Sequence, residues 1–177
     1  MTEQALTQGY TMLLDDDGPA VLRAAGIRSA CASVKRDAAR RVRHVCAAAY
    51  VLGTGPTVLV HRVLLAHTLG RALLPHEQVD HVHHREAEML VDNRAENLRL
   101  ATPVQQRANQ RKREELTSRF RGVWRDSEHG CWRAGIQLDG RKRHLGRFDT
   151  EDEAARAWNS AAFERWAEYA RLNEIAA

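Results

Sequence analysis

Between residues 102 and 118 the chain passes from a strong helix start into a run with almost no apolar side chains. That break limits what the chain can fold into. Thr102-Pro103-Val104-Gln105 offers a hydroxyl cap, a proline at the first helical position and a glutamine at the third. The helix should run through Asn109 into Arg111-Lys112-Arg113-Glu114-Glu115, where apolar content collapses. The 177 residues suit one ordinary domain or two small ones. The break argues for two units, 1–112 and 119–177, joined by a linker over 113–118.

In the first unit, Tyr10 to Leu14 suits a strand and Asp15-Asp16-Asp17-Gly18-Pro19 a turn into a helix closed by Gly26. The charged stretch Val34 to Arg43 reads as a solvated hairpin or loop. Val45–Leu52 and Thr57–Val60, separated by Gly53-Thr54-Gly55-Pro56, read as a β-hairpin. His61 to Leu69 reads as a helix ended by Gly70.

Three scattered cysteines, Cys31, Cys46 and Cys131, with no CxxC, support neither a disulfide framework nor a cysteine zinc site. They read as small, mostly buried thiols in a reducing cytoplasm. No stretch reaches the ~18 apolar residues of a membrane span, and the N-terminus has no signal-peptide character. A net charge of +4 favours a polyanionic partner.

The candidate chemistry sits at Gln78-Val79-Asp80-His81, followed by Asp92-Asn93-Arg94-Ala95-Glu96-Asn97-Leu98-Arg99. Asp80 is a hard-oxygen ligand suited to a magnesium-class ion, and the neutral imidazole of His81 can accept a proton near neutral pH. Together they can activate one water for phosphodiester hydrolysis. Asn93 with Glu96 fits a helix start for one short turn. The segment Val82 to Val91 reads as exposed loop decoration, although His83, His84, Glu86 and Glu88 could join a metal site.

These strings, with Val60-His61-Arg62 and Thr102-Pro103, resemble the HNH (ββα-metal) endonucleases over roughly 45–112, with the core motif at 60–112. The resemblance implies Asp80 as a metal ligand and His81 as the general base. It implies Asn97 as the brace that orients His81, and Gln106 as the second ligand, where the family carries Asn or His. His61 has two readings, a phosphate contact or a structural histidine. The implied cofactor is a divalent ion, magnesium or manganese. One base and one metal imply cleavage of one strand per encounter, in an enzyme of homing or mobile-element type.

The last 60 residues read as three antiparallel strands, Phe120–Arg125, Cys131–Leu138 and Lys142–Phe148, and a helix opened by the capping box Thr150-Glu151-Asp152-Glu153. Charge is segregated. Arg119 to Arg147 holds eight cations against three anions, whereas Asp149 to Ala177 holds three against seven. A basic β-ribbon can enter the major groove. Phe120-Arg121-Gly122-Val123-Trp124, Trp132-Arg133-Ala134-Gly135-Ile136, His144-Leu145-Gly146-Arg147-Phe148-Asp149-Thr150 and Ala170-Arg171-Leu172-Asn173 resemble the plant ethylene-response-factor (AP-two) DNA-binding domain. The resemblance implies that Arg121, Trp124, Arg125, Arg133, Gln137, Arg143 and His144 face DNA. Gly135 stands where plant members carry Glu, and Gln137 where they carry Arg. Trp132 has no assigned side, while Trp158 and Trp166 read as core. Arg111, Lys112 and Arg113, with Arg107, either follow phosphates or form a solvated helix end.

The sequence therefore predicts an α+β chain. An N-terminal ββα-metal nuclease unit is followed by a three-stranded sheet packed on one helix. The expected partner is double-stranded DNA, with neither membrane nor protein partner. Two other readings stand beside it: a DNA-binding protein with a degenerate nuclease unit, and a zinc module built from His81, His83 and His84.

Overall fold

The computed structural model describes residues 1–36, 38, 40, 42–50, 57–85, 88–110 and 117–176. It forms two compact units, Met1–Thr102 and Pro103–Ala177.

The first unit is mixed α+β. It contains β1 (Thr2–Ala5), β2 (Thr11–Leu14), α1 (Gly18–Ala24), β3 (Ala30–Arg36), β4 (Val42–Tyr50), β5 (Thr57–Leu59), α2 (Val60–Thr68), β6 (Gln78–His81), β7 (Leu90–Asp92) and β8 (Leu98–Ala101). Its strands make three small sheets: β1-β2-β7, β3-β4-β5 and the two-stranded β6-β8. In β4, Val45, Cys46, Ala47, Ala48 and Ala49 are all buried, so both faces of this strand are covered. Alternate residues point to opposite faces, and the alanines leave room for neighbours on each. Met12, Leu14, Val45, Val60, Leu64, Val79 and Leu98 join one core.

The helix and hairpin expectations of this unit appear as α1, α2 and β4-β5, with Gly26 and Gly70 at positive φ after the two helices. Residues 51–56, the expected turn, lie outside the described residues. The charged hairpin is longer than its sequence suggests, because β3 pairs with β4 from Ala30 onward. Two strands escape sequence reasoning. β1 pairs with β2, and β7 runs parallel to β2 with Val91 buried. The stretch read as loop decoration thus ends as a sheet strand. Cys31 is exposed, unlike buried Cys46, whose thiol pKa burial raises.

The second unit opens with α3 (Pro103–Ala108) and continues with β9 (Val123–Asp126), β10 (Cys131–Leu138), β11 (Arg141–Phe148) and α4 (Glu151–Trp166). α3 groups with this unit, N-terminal to the linker read at 113–118, of which 111–116 lie outside the described residues. The strands form an antiparallel sheet in the order β11-β10-β9, and α4 packs on it. The capping box is present. Thr150 Oγ1 accepts from the Glu153 backbone N–H, and the Glu153 carboxylate accepts from the Thr150 N–H, both at 3.2 Å. Ala154, Ala155, Trp158 and Ala162 are buried. The small residues let the helix lie close to the sheet. Gly122, at φ +71°, lets Trp158 sit against the backbone; a Cβ there would lie 2.0 Å from the indole Cδ1.

The tail is part of this unit. Asn173 accepts from the Arg121 N–H at 2.6 Å, donates to the Arg121 carbonyl at 3.1 Å, and exchanges two bonds with Asn159. Among the described residues no helix is long and apolar enough to cross a membrane.

Candidate active site and nucleic-acid face

Strand β6 places Asp80 and His81 at its end, and Arg62 of α2 anchors the approach by donating to the Glu77 carbonyl at 2.6 Å. Both side chains are buried, at 3% and 7% exposure. Across the ladder, Arg99 of β8 faces Asp80 and binds its Oδ2 through Nη2 at 3.0 Å and Nε at 3.2 Å. His81 packs edge-on against His61, with ring centroids 5.2 Å apart, and lies 6.5 Å from the His84 ring.

His81 is held by Asn93. Its Nε2 lies 2.8 Å from the Asn93 Oδ1, so with the amide placed this way Nε2–H donates and Nδ1 carries the lone pair. Asn93 is fixed in turn, because its backbone N–H donates to the Leu13 carbonyl of β2 at 3.0 Å. The side chain therefore does not cap the short 3-10 turn Ala95–Asn97, which has no side-chain cap. Asn97, expected to orient His81, instead closes the loop that follows it. Its Oδ1 accepts from the His83 N–H at 2.7 Å, while Nδ2 donates to the carbonyls of His83 and Asp92 at 3.1 and 2.8 Å. Bracing and orienting are thus divided between two asparagines. The signal was in the string Asp92-Asn93-Arg94, but spacing alone does not distinguish the two amides.

Asp92 is buried and carries Arg94, at 2.7 and 2.9 Å. Burial opposes its charge, yet the Arg94 guanidinium and backbone N–H hold the carboxyl below the ordinary range. His61 is buried with Nδ1 unpartnered. Desolvation, followed by His81, His44 and Arg62, pushes its pKa down to about 3. It is neutral at neutral pH and has little access to solvent, so the structural reading fits it and an ionic phosphate contact does not.

The donor chemistry suits an oxygen-preferring dication, since a carboxylate such as Asp80 and an amide carbonyl such as Gln106 are both hard oxygen ligands. Gln106 lies on α3 in the second unit. Arg99 holds Oδ2 of Asp80, so a dication would compete with the guanidinium for this carboxylate. Among the described residues, no cluster of three His, Cys, Asp or Glu ligand atoms includes Asp80 or His81; consecutive on the regularly paired β6, they point to opposite faces, Asp80 to Arg99 and His81 to Asn93 and His61. Such donors gather instead at the β9–β10 turn, where ligand atoms of Asp126, Glu128 and His129 lie within 4.8 Å of one another. Asp126 is already engaged there by Arg133 and His129.

The sheet divides the residues expected at DNA. Val123, Ala134 and Ile136 point into the α4 side. Ladder partners share a face, so Trp124–Arg133, Gly135–His144 and Gln137–Lys142 point outward. Trp124, Arg133, Gln137 and His144 are therefore on the open face, although Arg133 pairs with Asp126. Arg125 and Arg143, opposite Trp132 and Ile136, rise from the helix side instead. The Arg125 guanidinium covers the Trp132 ring at 5.2 Å, which puts Trp132 on that side as well. Arg121 is not on the sheet. Its guanidinium donates to the carbonyls of Arg107 (2.9 Å), Ala108 and Gln110 (3.0 Å) and lies over Trp158. It closes the C-terminal end of α3, a structural duty that its place in a basic string conceals. Lys142 and Arg147, exposed on the open face, were not singled out in the sequence. Arg111, Lys112 and Arg113 lie outside the described residues.

The site and fold define a mixed α+β protein with a buried carboxylate and a buried imidazole at consecutive positions of one strand. The chain is similar to an uncharacterized HNH endonuclease of Acanthamoeba polyphaga mimivirus, with 33% identity over 97 residues, 55% of this chain and 47% of that protein. It spans about half the length of the relative it matches. No protein-family model matches the chain. No solved structure matches it.

Proposed function

We propose that the chain is a metal-dependent DNA endonuclease of the HNH type, of homing or mobile-element character and acting inside the cell. The observation that carries this reading is the buried His81, held at Nε2 by Asn93, directly after the buried carboxylate of Asp80 in strand β6. His81 takes the proton of the attacking water on Nδ1. Asp80 would hold the divalent ion, magnesium or manganese, which when bound stabilises charge on the phosphate and the departing oxygen. Asn97 keeps the loop after His81 in place. With one base, each encounter cuts one strand. The C-terminal sheet, an AP-two-like module, carries the enzyme to duplex DNA through its open basic face.

The test is nicking of supercoiled plasmid with magnesium or manganese. His81→Ala is expected to lower the rate by at least about 100-fold. Equal residual activity in variant and wild type would remove His81 from the reaction. A second reading, a DNA-binding protein with a degenerate nuclease unit, is favoured by Arg99 on Asp80 and by glutamine at position 106. Salt-dependent binding with no nicking under either metal would select it.

A further inference from the structure

We infer that the open face of the C-terminal sheet reads A·T base pairs, with Trp124 against the thymine methyl and Gln137 on adenine. The inference rests on the proposal that this sheet binds duplex DNA, and it names what the sheet selects.

Gly135 sets the geometry. A Cβ at this position would lie 3.0 Å from Trp124 Cη2, 3.2 Å from Cζ3 and 3.2 Å from the Arg143 carbonyl. Glycine here lets the indole lie low across β10, and any Cβ would press the ring outward by a few tenths of an ångström. Trp124 is half-buried there, with the Lys142 ammonium 4.3 Å above the ring and His144 edge-on at 6.3 Å. The next outward residue on β10 is Gln137, which is exposed.

The chemistry of this patch is selective. Carboxylates recognise the cytosine amino group, and glutamine matches adenine N6 and N7 with two hydrogen bonds. Apolar groups contact the thymine C5-methyl. The centre of the face, Trp124, Gly135, Gln137, Lys142 and His144, carries no carboxylate. The nearest one on this face, Asp126, is occupied by Arg133. The Gln137 amide matches adenine and the Trp124 indole matches the thymine methyl, while Lys142, a residue type that can read guanine, is engaged by the Trp124 ring at 4.3 Å.

The experiment selects binding sites for the full-length chain from random duplexes, with His81→Ala in place and metal chelated so that nothing is cut. An A·T-containing centre is expected. In the selected duplex, replacing thymine by deoxyuridine removes only the methyl, and replacing adenine by 7-deazaadenine removes only N7. Each change is expected to weaken binding at least about threefold. Gln137→Ala should abolish the response to 7-deazaadenine. Trp124→Ala, which removes the indole, should abolish the response to deoxyuridine while keeping the other. Near-ultraviolet circular dichroism checks that both variants are folded. DNA binding with a G·C centre, or with substitution effects unchanged in both variants, overturns the inference and leaves the DNA-binding reading intact. Absence of any DNA binding overturns both.

Discussion

At the scale of single residues, the site depends on how one imidazole is held. On the proposed reading, Asn93→Ala should lower plasmid nicking about 10–100-fold with DNA affinity unchanged. Asn93→Asp should move the acid limb of the pH–rate profile to higher pH, because a carboxylate at Nε2 stabilises the imidazolium. A role confined to folding would leave that limb in place. His61 gives a prediction about stability. Its folded pKa is about 3 against 6.5 in the open chain. Between these values the unfolded state binds the extra proton, so the stability that His61 allows above pH 6.5 is lost as pH falls towards 3. The loss is on the order of 4 kcal/mol at the acid end. His61→Phe should flatten urea-denaturation stability across that window; an unchanged slope would show that other groups govern it. Asp80 and His81 stand out as candidates in the sequence through residue type and order, and their placement at the end of a strand follows from the apolar run before them. The division between Asn93 and Asn97 was not legible, since it depends on which amide the β2 backbone holds.

At the scale of elements, sequence reasoning succeeds where caps and turns speak locally. Thr150 with Glu153, Asp139-Gly140 and Gly70 each announce a boundary through their own backbone chemistry. It fails for β1 and β7, three or four residues each, whose pairing with β2 is set by distant chain. It also fails for Arg121, because a guanidinium that closes a helix reads in sequence like one that meets phosphate. Arg121→Met should lower stability by about 1–3 kcal/mol through the loss of partners for three buried or terminal carbonyls. If Arg121 faced DNA instead, the same change would weaken binding and leave the melting temperature alone. Gly122→Ala should cost about 2–4 kcal/mol, combining a left-handed backbone with a clash against Trp158. Thermal denaturation of the two variants checks both.

At the scale of the whole molecule, the collapse of apolar content after Asn109 puts the break in the sequence there, whereas α3 groups with Pro103–Ala177. That membership is decided by the Arg121 bonds and by the Arg171 N–H, which donates to the Ala108 carbonyl at 3.3 Å. A fragment of residues 103–177 is therefore expected to melt cooperatively and at a higher temperature than one of 119–177, which leaves Arg121 without its acceptors. Equal melting temperatures would show that α3 contributes nothing to the unit. The bond from Asn93 to Leu13 has a practical meaning. The opening strands look like expendable leader in a chain whose chemistry begins near position 80, yet the peptide group of Leu13 supports the amide that aims His81. Trimming the first fourteen residues would remove a supporting strut from beneath the candidate site while leaving each of its side chains in the sequence.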